Sequence, residues 1–181
     1  MTISRADAAH IQLNRTTFAL LDAAREAAAL MEVLAEEKGQ RLTVEGDMRT
    51  TVYVDRVIVR QAIVNIIDNA VKYSPRGGLI SVRVGQSGGA AVVEVEDSGP
   101  GIPEEHQSHV FERFYRVDKG RSRESGGAGL GLAIVKWAVE AHSGHVTLAC
   151  GPNGGCTFSV NLPISTVAEI SRPPVEANER S

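Results

Sequence analysis

The sequence is short of the features that would assign it quickly. It has no apolar run near the roughly 20 residues that a membrane-spanning helix needs. Its N-terminus lacks the basic, then apolar, then small-residue order of a secretory signal. The expectation is a cytoplasmic chain that inserts in no membrane. Charge of either sign is nearly balanced: 19 Lys and Arg against 22 Asp and Glu leave −3 overall. Nothing electrostatic therefore favours nucleic acid or anionic lipid. Two cysteines, Cys150 and Cys156, flank Gly151-Pro-Asn-Gly-Gly155. Across a hairpin the two thiols could sit near each other, but a pair is too few for a disulfide framework or a four-ligand zinc site, and reduced structural thiols are expected. A Walker A phosphate loop and internal repeats are also absent.

What is present is ordinary soluble composition, 43% hydrophobic and 23% charged over 181 residues, enough for one domain with a real core and too little for two. Residues 1–17 are polar and predict a helix end plus linker. Residues 18–38 carry Leu20, Leu21, Ala24, Ala28, Met31 and Leu34 close to helical spacing, and Gly39 ends that helix. Leu42–Val44 and Thr51–Val54 read as short strands joined around Gly46-Asp47. Asp55 is an N-cap for a helix running to about Tyr73, stopped by Ser74-Pro75-Arg76-Gly77-Gly78.

Leu79–Val84 and Ala90–Glu96 read as an antiparallel pair turned at residues 86–89. Residues 98–127 hold little regular structure beyond an aromatic cluster around Phe111. A second long helix spans about 129–142, closed by Gly144. His145–Cys150 and Cys156–Leu162 pair across the glycine loop, Pro163 ends the fold, and residues 164–181 predict a disordered tail. This order predicts an α+β fold, a two-layer sandwich whose mixed, mostly antiparallel sheet is covered on one face by helices.

Three blocks carry chemistry. Asn65, Asn69, Lys72 and Tyr73 fall at i, i+4, i+7 and i+8, on one helix face. Carboxamide oxygens suit Mg²⁺ when phosphates supply the remaining charge, Lys72 can neutralise phosphate, and Tyr73 can lie against a purine. A plain solvated face is the alternative. Asp97 alternates with Val93 and Val95 onto the apolar side of its strand, where a carboxylate is costly unless something donates to it. Adenine's amine is such a donor, whereas guanine offers a carbonyl there. The alternative is a turn, Asp97-Ser98-Gly99, that merely ends a strand.

Gly126-Gly127-Ala128-Gly129-Leu130-Gly131 invites comparison with the dinucleotide fingerprint, but Leu132 stands at its last position and polar residues 118–125, not a strand, precede it. Glycines opening a helix still offer N–H groups to phosphate, and the polar stretch reads as a mobile lid. Leu130, Ile134, Trp137, Ala138 and Ala141 read as core.

In this order the blocks resemble the ATP-binding catalytic domain of bacterial sensor histidine kinases, within the GHKL, or Bergerat-fold, group. Residues 65–73 look like its N box, 97–101 its first glycine box, 127–131 its second, and Phe111-Glu-Arg113-Phe-Tyr-Arg116 its F box. The likeness covers about residues 18–163, after a stretch (1–17) resembling the close of a dimerisation helix. It implies ATP and Mg²⁺ as cofactors, with Asn69 and Asn65 on the metal and Lys72 and Tyr73 on phosphate and base. It further implies Asp97 on the adenine amine, Arg113 and Arg116 on phosphate or partner, and Gly127, Gly129 and Gly131 as the lid hinge. Gly99, Gly101, Ile102, Leu130, Leu132 and Thr157 complete the implied nucleotide contacts. One departure is Asn153-Gly-Gly155-Cys156, where the family often has Gly-x-Gly-Thr or Gly-x-Gly-Ser.

Hydrolysing members of that group carry a glutamate where this chain has Asn65, an amide with no useful basicity. None of His10, His106, His109, His142 or His145 lies in a His-Glu-x-x-Thr-Pro setting, and each reads as a packing or surface residue. The resemblance therefore implies a kinase half whose phosphoacceptor histidine sits on a dimerisation domain of the same or a companion chain. A response regulator would act downstream, and a full-length kinase could be anchored in the inner membrane. The competing readings are a GHKL ATPase, a serine-directed anti-sigma-type kinase, and a non-catalytic, nucleotide-gated interaction module.

Overall fold

The computed structural model describes residues 12–117 and 128–164. Its elements are β1 (Arg15–Ala19), α1 (Leu20–Glu37), β2 (Arg41–Gly46), β3 (Thr51–Asp55), α2 (Arg56–Tyr73), β4 (Leu79–Ser87), β5 (Ala90–Asp97), α3 (Glu104–Gln107), α4 (Gly131–Ala141), β6 (His145–Cys150) and β7 (Cys156–Pro163). Five strands form one sheet in the order β2-β4-β5-β7-β6. β2 runs parallel to β4, and the other neighbours are antiparallel. No helix among the described residues is long and apolar enough to cross a membrane.

The sheet follows from period-two burial. Ile80, Val82 and Val84, then Ala91, Val93 and Val95, then Phe158, Val160 and Leu162 are all buried. Ile63, Ile66, Ile67, Ala70 and Val71 of α2 join them in one core. Ala23, Ala24, Ala27 and Ala28 give α1 a buried stripe without bulk. On the other side of the sheet Arg83 faces Glu94 and Glu96.

Both ends of α2 are tied down. Asp55 caps it as expected: Oδ1 accepts from Val57 N (3.0 Å) and Ile58 N (3.2 Å), and Oδ2 accepts from Asn14 N (2.9 Å). The Asp55 N–H donates to Nε2 of buried His142 (3.0 Å), whose Nδ1 lies 2.7 Å from the Ala138 carbonyl oxygen. Nε2 is thus the acceptor and Nδ1 carries the proton. At the far end Lys38 Nζ donates to the carbonyls of Val71 (2.6 Å) and Lys72 (3.0 Å). Gln40 Nε2 donates to those of Val71 (3.1 Å) and Ser74 (2.9 Å). These carbonyls have no intrahelical partner of their own.

Several expectations need correction. Residues 15–17 are not linker: Thr16, Thr17 and Phe18 suit a pleated strand, and β1 pairs antiparallel with β3 in a separate ribbon. The strands joined around Gly46-Asp47 are present as expected, β2 in the main sheet and β3 in that ribbon. Ile164, placed at the start of the tail, bridges to Val52. Ile134, read as core, is 39% exposed. Cys150 and Cys156 are joined by a disulfide rather than reduced; the hairpin makes them direct partners in the β6–β7 register, close enough to bond. Residues 1–11, the lid stretch 118–127 with Gly126 and Gly127, and residues 165–181 lie outside the described residues.

Burial holds the His142 pKa below its ordinary value of 6.5, so the folded state keeps the ring neutral. An unfolded chain takes up that proton near pH 6.5, and stability is then lost as pH falls from there towards the folded pKa. The denaturation midpoint should therefore drop between about pH 8 and about pH 5.5. His142→Gln, which retains an acceptor and does not titrate, should flatten that drop.

Candidate functional site

The C-terminal end of α2 lies against the turn after β5, where a Cβ on Gly99 would stand 3.3 Å from Tyr73 O. Asn65 is half-buried. Its Nδ2 donates to Gly131 O (3.3 Å) and its Oδ1 accepts from Gln61 Nε2 (3.2 Å). That amide stitches α2 to the first turn of α4. One turn on, Asn69 is also half-buried, and no hydrogen bond joins its carboxamide to a described residue. Lys72 Nζ is held by Asp68 Oδ2 at 2.5 Å. Tyr73 is 59% exposed.

Asp97 closes β5 and sits half-buried. Burial pushes its carboxyl above the usual aspartate range, while backbone N–H groups of Gly99 and Cys156 act against that shift. The Gly99 N–H donates to Oδ1 at 2.7 Å. Beside it lies a cleft of about 350 Å³ between Glu96–Gly99 and the loop that carries Gly151 and residues 153–157.

The floor of this cleft is backbone packed on backbone. Gly155 N–H donates to Gly99 O at 2.7 Å. A Cβ on Gly154 (φ +94°) would stand 2.8 Å from Gly99 O, and one on Gly155 (φ +75°) 2.7 Å from Asp97 O. Both the left-handed conformation and the close approach demand glycine. Sequence reasoning took Thr157 from this loop and left out Glu96, Asn153, Gly154 and Gly155, although the double glycine was a readable signal. Thr157 borders the cleft, but it pairs with Glu96. Alternation therefore puts Cys156, not Thr157, on the sheet face of Asp97.

The remaining residues frame the cleft. Phe111 meets Phe158 edge-on with ring centroids 6.3 Å apart. The chain then turns through Phe114, whose N–H donates to Gly129 O at 2.8 Å, so the F-box segment touches the start of α4. Arg113 is exposed and Arg116 half-buried. Ile102 and Leu132 pack against the core, Leu130 holds the N-cap position of α4, and Gly101 sits over Gly154. No group of three or more His, Cys, Asp or Glu among the described residues could hold a metal. The unpaired Asn69 oxygen fits a cation that brings its own phosphate ligands. Asn65 fits less freely, with Oδ1 engaged by Gln61.

The family described as "Histidine kinase-, DNA gyrase B-, and HSP90-like ATPase" matches residues 54–166, and the chain belongs to it. Within that family the likeness runs to sensor histidine kinases. Sensor-like histidine kinase SenX3 of Mycolicibacterium smegmatis is 38% identical over 155 residues, 86% of this chain and 39% of that protein. Full-length ShkA in complex with AMPPNP superposes with a TM-score of 0.78 at 28% identity, covering 89% of this chain and 34% of that one. Histidine kinase ThkA in complex with the response regulator protein TrrA gives 0.70 at 26% identity, covering 84% and 42%. The chain thus spans well under half the length of the curated relatives it matches.

Two substitutions probe the floor. Because burial raises the Asp97 pKa, its ionised form at neutral pH works against folding. Asp97→Asn keeps an acceptor for Gly99 N–H, and its melting temperature should equal or exceed that of the parent. Gly155→Ala should instead cost about 1–3 kcal/mol in denaturant unfolding, from a forced positive φ and a backbone clash.

Proposed function

We propose that the chain binds Mg-ATP and donates the γ-phosphate to a histidine on a dimerisation and phosphoacceptor domain, in the same or a companion kinase chain, as a step of two-component signalling. The observation that carries this reading is the half-buried carboxylate at Asp97, with amides and not a base at positions 65 and 69 of α2. Asp97 accepts from the adenine amine, and Tyr73 lies against the base. Asn69, with Asn65, supplies neutral oxygens to the cation, whose charge would offset that of the phosphates. Lys72 exchanges Asp68 for a phosphate oxygen. The N–H groups around Gly129, Leu130 and Gly131 open α4 and meet phosphate at its positive end; Gly127 belongs to the same hinge.

Gly99 and Gly101 let the backbone approach the base, Ile102 and Leu132 give apolar contact, and Thr157 lies at the rim. Arg113 and Arg116 meet phosphate or partner. Asn65 cannot deprotonate water. Water is therefore a poor acceptor here, and catalysis is chiefly positioning and charge neutralisation. Two similar structures, a kinase in complex with AMPPNP and another in complex with a response regulator, support a nucleotide site and a downstream regulator. A membrane anchor for the whole kinase belongs to the same proposal.

The test is transfer of label from γ-labelled ATP to a purified dimerisation fragment, giving an acid-labile phosphohistidine. Asn69→Asp sets an extra negative charge against the phosphates and should lower transfer by about 100-fold. Asp97→Asn should weaken ATP by about 10- to 100-fold. Substantial hydrolysis without any partner would point to an ATPase, an acid-stable product to a serine-directed kinase, and binding without transfer to an interaction module. ATP affinity should also decline on acidification at a higher pH than for an ordinary aspartate, because Asp97 accepts the amine only when ionised and burial raises its pKa.

A further inference from the structure

The cleft floor is also held covalently. Cys150 and Cys156 face each other across the β6–β7 ladder with Cα atoms 4.1 Å apart and sulfurs joined. Between them the chain turns back on itself, Gly151 N–H donating to Gly155 O at 3.0 Å and Gly155 N–H reaching Gly99 O. Gly151, Gly154 and Gly155 leave that loop little conformational preference of its own. Cys156 borders the cleft, and its N–H acts on the Asp97 carboxylate. The bond therefore closes a loop whose backbone supports both Asp97 and Gly99.

We propose that Cys150 and Cys156 form a thiol–disulfide switch on nucleotide affinity: oxidised, the pair holds residues 151–155 against Asp97 and Gly99; reduced, it frees the loop and weakens binding. The effect on ATP rests on the functional reading above. The reductant is a dithiol. Its thiolate attacks the sulfur of Cys150, which is half-exposed while Cys156 is only 4% exposed. A mixed disulfide forms as the Cys150–Cys156 bond breaks, and Cys156 leaves as a thiolate that takes up a proton. The second thiol of the reductant then displaces Cys150 as a thiol. Two electrons pass to the protein and the reductant becomes a disulfide. If the freed loop supports Asp97 in about one molecule in five, the apparent Kd rises about fivefold.

The experiment compares the chain treated with glutathione disulfide or with dithiothreitol, beside a Cys150→Ser, Cys156→Ser variant. Thiol titration, amide hydrogen exchange at residues 97–99 and 151–157, and calorimetric titration with AMPPNP are read on each. The expected result is loss of both thiols on oxidation, faster exchange and an about fivefold weaker Kd on reduction, and a variant fixed near the reduced values. Two thiols that survive oxidation, or identical exchange and affinity in both states, would overturn the switch. Absence of AMPPNP binding in every state overturns the nucleotide reading instead, and the exchange difference then decides alone whether redox state governs the loop.

Discussion

The site depends on how the ends of one helix are held. Residues 56–73 bring a polar arc and a hydrophobic arc on the same turns, and the polar arc is useful only if the helix cannot slide or fray. The N-terminus is locked by Asp55, whose carboxylate caps the first turn and whose N–H is taken by His142, the C-cap of the helix Gly131–Ala141. The C-terminus is locked by Lys38 and Gln40, which arrive from the end of the preceding helix and the residues just after it. Side chains distant in sequence thereby fix where Asn65, Asn69 and Lys72 stand relative to the sheet. A helix held only by its hydrophobic stripe would have more freedom along its axis, since burial is non-directional.

The second constraint is the contact between two glycine turns. The chain after Asp97 and the chain before Thr157 approach so closely that neither Gly154 nor Gly155 tolerates a side chain. That closeness sets the depth at which Asp97 is buried and explains why its carboxyl is harder to ionise than an exposed one. An ionised group kept in such a place works against the fold, and its retention makes sense if a ligand supplies the missing donor. The disulfide beside it stiffens the same turn, so covalent and electrostatic features of the cleft meet within a few residues.

Much of the framework was legible from pattern. The cap at Asp55, the helix ending at Tyr73, the Leu79–Glu96 pair and the last two strands all rest on local rules: capping chemistry, 3.6- or 2-residue periodicity, and glycine or proline stops. The alternation that assigned Asp97 to the apolar face is equally local, and the half-buried carboxylate agrees with it. The strand at Arg15–Ala19 escaped notice because five residues offer too little periodicity and its partner, Thr51–Asp55, lies beyond an intervening helix and strand. The hairpin that brings Cys150 and Cys156 close was legible, but their bond was not, because proximity of two strand ends does not settle whether the thiols are oxidised.

By itself the sequence determined which side chains share a helix face, which glycines open a turn or a helix, and that position 65 on that face holds an amide. These are properties of neighbours within a few residues, governed by backbone geometry alone. Only the tertiary structure decided that Asn65 spends its amide on Gly131 while Asn69 keeps its own unpaired, that Lys72 is held by Asp68, and that Gly154 and Gly155 form the floor under Asp97. Register also decided that Cys156 rather than Thr157 shares the Asp97 face. Such outcomes depend on distances between segments far apart in the chain, and those are set when the sheet and its helices close around a common core.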